Sequence, residues 1–181
     1  MTLFSLDTHA AELRMLSEGI QTIEQKQTKE IRRSVVDNYK KFDPREFEVF
    51  VGHVLQVIGL DSTVTQYTND RGIDVIGTID VEGLADISVC VQVKHMKTVG
   101  RPDIQKIAGA ARDAHACVIT SGSFPPSAIQ EAEEIGVKLV DGLALAILIL
   151  EHYDELDDKY KQIFGLRKKK VPIEDQFELQ I

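Results

Sequence analysis

The sequence predicts an α/β fold: a mixed central sheet flanked by helices, with an N-terminal helical arm. Three observations carry this. Two strand-like runs on either side of "DVEG" (80–83) read as an antiparallel hairpin. Beyond them, apolar strand-like runs alternate with amphipathic helical runs, the pattern of β-α-β crossovers, which lay strands in parallel and place helices on both faces. Ahead of them, residues 5–40 contain no proline and repeat Leu13, Leu16, Ile20 and Ile23 at intervals of three and four, as a helix does. At 181 residues the chain can bury one core and still carry an appendage.

Taken in order, the arm at 1–40 balances six basic against six acidic residues, and its apolar stripe thins after Ile23, where Gln27 follows. That pattern suits a helix packing on the domain or on a partner. A core domain is expected over 41–156 and a tail over 157–181. The core opens with "DPREFEVFVGHVLQVIGL". Asp43 is placed to cap a helix, Pro44 suits its first position and Glu46 completes a capping box. Phe47, Phe50, Val51, Val54 and Ile58 form the inward face, and Gly59 ends it. Strands are expected at 62–67, 73–79 and 86–95. Then come a helix in "RPDIQKIAGAARDA", a buried strand in "ACVITSG", a helix in "PPSAIQEAEEIG", a strand in "VKLVDG" and a helix in "GLALAILILEHY". The tail holds "RKKK" at 167–170, which reads first as solvated charge.

Composition narrows the function. The apolar fraction is 43% and the charged fraction 28%, as in an ordinary globular protein. Cys90 and Cys117 lie apart and form no C-x-x-C pair, and the five histidines show no metal-binding spacing, so a zinc ribbon, a redox motif and a zinc enzyme are all disfavoured. The longest apolar run, 143–150, falls short of the roughly 18 residues a membrane span needs. Two thiols without a signal peptide fit a cytoplasmic protein. A net charge of −8 argues against strong nucleic-acid affinity for the whole chain. Residues 92–112 run the other way: Lys94, Lys97, Arg101, Lys106 and Arg112 face Asp103 alone.

The hairpin raises a chemical question. Its strands carry Asp74 between Ile73 and Val75, and Gln92 and Lys94 among Val89, Val91 and Val93. Side chains alternate across a strand, so Gln92 and Lys94 share one face and the three valines the other, while Asp74 opposes Ile73 and Val75. A lone aspartate or lysine here would more often be an unremarkable polar residue on a sheet face. In the register the turn implies, however, Asp74 converges with Gln92 and Lys94. Such a cluster suits Mg²⁺, which takes hard oxygen ligands in octahedral geometry. Asp74 would supply a carboxylate, Gln92 its amide oxygen and Val93 its carbonyl, with Glu48 reaching the ion through water. Lys94 would hold an attacking water or a scissile phosphate, since an unpaired ammonium in an apolar strand needs a partner or a pocket.

Five blocks now make the chain recognisable: "FE" at 47–48, "DRGIDV" at 70–75, "QVKH" at 92–95, "TSGSF" at 120–124 and "LVDG" at 139–142. In this order and on these elements they resemble the Mrr-like restriction endonucleases. These are PD-(D/E)XK nucleases in the branch where glutamine replaces an acidic residue, Q-x-K in place of E-x-K. The resemblance covers roughly 43–150. It implies a restriction-endonuclease-like fold and a Mg²⁺-dependent DNA endonuclease, with Mn²⁺ able to substitute. Glu48, Asp74, Gln92 and Lys94 match the family's active-site positions, and the reaction would be phosphodiester hydrolysis by a metal-activated water, leaving a 5′-phosphate. The chain departs from the family at Arg71, where glycine is frequent.

Arg71, Lys97, Arg101, Gln105 and Lys106 are the candidate DNA contacts; for Gln105 a plain surface role is the simpler reading. His95 and His115 read as structural, and Asp141 as shaping a turn. No DNA-reading module accompanies the core, so recognition is expected from a homo-oligomer or a partner protein, in genome defence, restriction or antiviral defence. Two alternatives stand beside this: a catalytically silent nucleic-acid-binding or scaffold subunit with a nuclease fold, and a junction or RNA nuclease.

Overall fold

The computed structural model describes residues 26–65 and 72–166. Helix α1 (26–38) leads through a 3₁₀ turn, Tyr39–Lys41, into α2 (Pro44–Val57). Strands β1 (Asp61–Val64), β2 (Val75–Asp80) and β3 (Asp86–Lys94) follow; then α3 (Arg101–Ala111), β4 (His115–Thr120), α4 (Pro126–Ile135), β5 (Lys138–Val140), α5 (Gly142–Glu151) and α6 (Asp158–Phe164). The five strands lie in sequence order in one sheet. The first two pairings are antiparallel and the last two parallel, as the hairpin and crossover patterns require. Among the described residues no helix is long and apolar enough to cross a membrane.

The capping box forms as its residues dictate. The Glu46 N–H donates to Asp43 Oδ1 at 2.7 Å, and the Asp43 N–H donates to Glu46 Oε2 at 2.9 Å. Two of the orphan donors at the helix start are thereby satisfied. Replacing Asp43 by alanine removes the first bond and should cost about 1 kcal/mol, read as a lowered urea midpoint with unchanged m-value.

Two cores sandwich the sheet. One face meets α1, α2, α5 and α6 through Phe42, Phe47, Phe50, Val75, Val91, Val93, Leu145 and Ile149, among others. Phe42 stacks on Phe50 with ring centroids 4.9 Å apart, and Tyr160 and Phe164 close the cluster from α6. The other face meets α3 and α4 through Cys90, Val99, Ile104, Ile107, Val118, Ala128 and Ala132. Val35 and Tyr39 before residue 41, and Tyr160 and Phe164 after residue 156, are all buried in the first core. Packing therefore extends past 41–156 on both sides. Leu13, Leu16, Ile20 and Ile23 of the arm, and the basic run at 167–170, lie outside the described residues.

Two local expectations shift. Ile58 is the C-cap of α2 and 37% exposed, while Leu55, one turn earlier, takes the inward place. Gly59 does turn the chain, at φ +96°. The first strand is shorter than expected, ending at Val64. The "TSGSF" and "LVDG" blocks meet where the Gly142 N–H donates to Gly122 O at 2.8 Å. A Cβ on Gly142 would collide with Ser121 O, so two loops can approach this closely only without a side chain there. Asp141 caps α5 by accepting from the Ala144 N–H at 2.8 Å.

Candidate active site

The site forms where β2 leaves β3. The Asp74 N–H donates to Val91 O at 2.9 Å, yet it is Val75 that pairs with Val91. Two residues thus oppose one, as in a β-bulge. The bulge breaks the alternation: Ile73 packs on the α3/α4 side and Val75 on the α2/α5 side. The expectation that both oppose Asp74 is corrected here, because strict period-two reasoning assumes an unbroken ladder. The Asp74 carboxylate instead occupies the position a backbone acceptor would have filled, taking the Val93 N–H at 2.7 Å through Oδ2. Thr65, the residue after β1, pins the bulge. Its hydroxyl donates to Ile73 O at 2.8 Å, and its N–H donates to Asp74 O at 2.9 Å.

Gln92 and Lys94 both point toward α3, as alternation predicts. Gln92 is 1% exposed, and its Oε1 is buried without a hydrogen-bond partner among the described residues. Such an atom costs roughly 1–3 kcal/mol unless something else occupies its lone pairs. Gly72, at φ +87°, lies against it: a Cβ there would sit 2.8 Å from Gln92 Nε2 and 2.8 Å from Lys106 Nζ. Both the backbone angle and the space exclude a side chain. Gly72→Ala should therefore push the Gln92 amide and Lys106 aside while adding strain of about 1 kcal/mol or more. Mn²⁺ affinity measured by titration calorimetry should fall, with only a small change in melting temperature. Equal affinity in the variant would remove Gly72 from the site.

Lys94 ends β3, and its Nζ lies 3.2 Å from Asp103 Oδ1 in the first turn of α3. Glu48 rises from α2 on the other side. Its Oε2 pairs with Arg45 Nη1 at 2.8 Å, and Arg45 Nη2 also donates to Thr65 O at 3.1 Å. Arg45, Thr65 and Asp103 are additions that motif reading missed. Arg45 could have been noticed as the i−3 neighbour of Glu48; Asp103 was visible only as the single acid in a basic stretch.

The charges meet at Asp74. Burial raises its carboxyl above the usual range; the Val93 N–H pulls it down, Glu48 pushes it up, and Lys94 and Arg45 lower it again. Glu48 and Lys94, from α2 and β3, therefore both act on the Asp74 carboxyl. Among the described residues no three His, Cys, Asp or Glu side chains gather as a metal cage. The donors present are two carboxylates, an amide oxygen and the Val93 carbonyl. An all-oxygen set with an unpartnered buried amide fits a hard divalent cation better than it fits zinc.

Of the candidate DNA contacts, Lys106 reaches the site at Gly72, and Lys97 is exposed on the loop before α3. Arg101 and Gln105 converge instead on Glu131 of α4. Arg101 Nε donates at 2.7 Å and Gln105 Nε2 at 2.6 Å, and the Gln105 bond is the main reason the Glu131 carboxyl is held below its usual range. Arg71 lies outside the described residues. His95 is structural: stacked on Phe47 at 4.6 Å, its Nε2 donates to Phe42 O at 3.1 Å and its Nδ1 meets Ser121 Oγ at 2.9 Å.

Comparison with known proteins agrees with this architecture. Residues 39–149 match the family model Mrr_cat, described as a restriction endonuclease. The solved structure of the DNA modification-dependent restriction endonuclease AspBHI superposes with a TM-score of 0.55 at 16% identity, over 76% of this chain and 39% of that one. The MspJI restriction endonuclease in complex with a 27-mer oligonucleotide gives a TM-score of 0.50 at 20% identity, over 71% of this chain and 34% of that one. The chain thus spans well under half the length of either. Comparison with curated proteins gives no match.

Proposed function

The chain belongs to the restriction endonuclease family, whose Mrr_cat model it matches over most of its core, and on that premise we propose that it is a Mg²⁺-dependent DNA endonuclease. What supports this reading is the Asp74 carboxylate at the β2–β3 junction, on which Glu48 of α2 and Lys94 of β3 both act, together with the buried amide of Gln92 two residues before Lys94. Asp74, Gln92 and the Val93 carbonyl would hold the ion, Glu48 would join through water, and Mn²⁺ would serve in place of Mg²⁺. When bound, the ion supplies Lewis acidity at a phosphoryl oxygen and a nucleophilic water at neutral pH. The protein supplies the placement. Val93 N–H fixes one Asp74 oxygen, Gly72 leaves room for the Gln92 amide, and Lys94 offers an ammonium to the attacking water or the scissile phosphate.

With a net charge of −8, the free chain is poorly equipped for tight DNA binding, since phosphate neutralisation supplies most nonspecific affinity. Recognition would come from a second copy or a partner protein, in a cytoplasmic restriction or antiviral role. Lys97, Lys106 and Arg71 are the proposed backbone contacts; Arg101 and Gln105 would join them only by leaving Glu131.

The test is incubation of supercoiled plasmid, unmodified and base-modified, with protein and Mg²⁺ or Mn²⁺. Modified DNA is included, and DNA leads RNA, because the AspBHI neighbour is described as a DNA modification-dependent restriction endonuclease. Metal-dependent nicking that EDTA abolishes supports the reading. Metal-independent DNA binding with no cleavage of any substrate would favour the silent-subunit reading instead.

A further inference from the structure

We propose that Asp103 is a positioning residue for Lys94, a role that no family motif in the sequence assigns to it. For its kinetic part this rests on the nuclease reading above. Lys94 carries a compact charge on a flexible four-carbon stem, and such a side chain samples many rotamers unless a fixed partner holds it. Asp103 Oδ1 lies 3.2 Å from Lys94 Nζ, and the two side chains are only 29% and 27% exposed. The pair is therefore less open to water than an ordinary surface ion pair.

The anchor itself is rigid. Asp103 sits in the first turn of α3, with Ile104 fully buried and Ile107 1% exposed against the sheet. One turn further, Lys106 Nζ approaches Gly72 beside the Gln92 amide. Residues 103 and 106 of α3 thus overlie residues 94 and 92 of β3. The helix that follows the Q-x-K strand folds back over both of its polar side chains. Asp103 aims the ammonium and is no metal ligand. A scissile phosphate arriving at Lys94 meets a donor already oriented. The competing account is that Asp103 only stabilises the start of α3 through the helix dipole.

Full-length wild type, Asp103→Asn and Asp103→Glu are compared in two measurements. In single-turnover cleavage, Asp103→Asn should lower kcat by about 10- to 100-fold, the cost of misplacing a reacting group by an ångström or so. KM should hold or fall, because a carboxylate leaves the path of the phosphate, and Asp103→Glu should recover most of kcat. Independently of activity, acetylation of Lys94 by acetic anhydride in the metal-free protein, mapped by mass spectrometry against Lys97 as internal reference, should rise several-fold in Asp103→Asn. A lowered melting temperature with unchanged kcat and unchanged labelling means a helix-start role only and overturns the proposal. So does altered labelling with wild-type kcat, or a glutamate variant no better than the asparagine. If wild type cuts no DNA, the nuclease reading fails on its own, and the labelling alone decides whether Asp103 holds Lys94.

Discussion

Asp74→Ala should abolish metal-supported cleavage, with a loss of roughly 10³-fold or more, because it removes the carboxylate that, among the described residues, is bound directly at the β2–β3 junction. Several kcal/mol of charge stabilisation depend on such a ligand, and each 1.36 kcal/mol is tenfold in rate. The same site predicts an opposite effect on stability. Burial raises the Asp74 carboxyl, so its ionised form costs the metal-free fold free energy. That cost is present in full above the raised folded pKa, shrinks as pH falls through it, and is gone below the ordinary carboxylate range. Asp74→Asn keeps an oxygen for the Val93 N–H and removes the charge. In EDTA it should melt at or above the wild-type temperature at neutral pH, with the difference closing on acidification. Added Mn²⁺ should stabilise wild type and leave the asparagine variant unchanged. A variant that is both less stable in EDTA and fully active would contradict the placement of Asp74 at the centre of the site.

Lys94→Ala should cost roughly 10²- to 10³-fold in kcat, the scale seen when one preorganised donor to a developing charge is removed. Folding should barely change. Asp103, left without its partner, is 29% exposed and can be solvated, so the unpaired carboxylate carries only a small penalty. DNA affinity in Ca²⁺ should stay within a small factor of wild type, since one lysine among several neutralises little of the backbone charge. Lys94→Arg should restore little: the planar guanidinium reaches further and presents a different donor geometry. Activity surviving in Lys94→Ala would move the donor role to another cation, with Lys106 next in line by position.

Much of this site was legible before any coordinates. The hairpin turn, the capping box at Asp43 and the alternation of Gln92 and Lys94 with Val89, Val91 and Val93 are local features, set by residues a few positions apart, and each appears where local rules put it. The surroundings of Asp74 follow only in part from the sequence. A strictly alternating strand would have opposed it to both neighbours, whereas a bulge separates Ile73 from Val75 and turns the carboxylate onto Val93 N–H. A bulge comes from how one strand meets another, and no pattern within either strand reveals it. Arg101 and Gln105 show the same limit. Arg101 reads as a candidate phosphate contact and Gln105 most simply as a surface residue, and α4 answers both with Glu131 from some thirty positions away.

By itself, then, the order of residues determined the elements, the direction of each strand, the helix starts and the polar residues around which chemistry could be built, because those depend on backbone propensity, side-chain period and turn chemistry over short spans. Tertiary structure alone decided which polar groups on separate elements meet: Lys94 with Asp103, Arg45 with the Thr65 carbonyl, Arg101 and Gln105 with Glu131. Coulombic and hydrogen-bonding partners are chosen by distance in space, and for side chains on different elements that distance is written only in the packing of α2, α3 and α4 against the sheet.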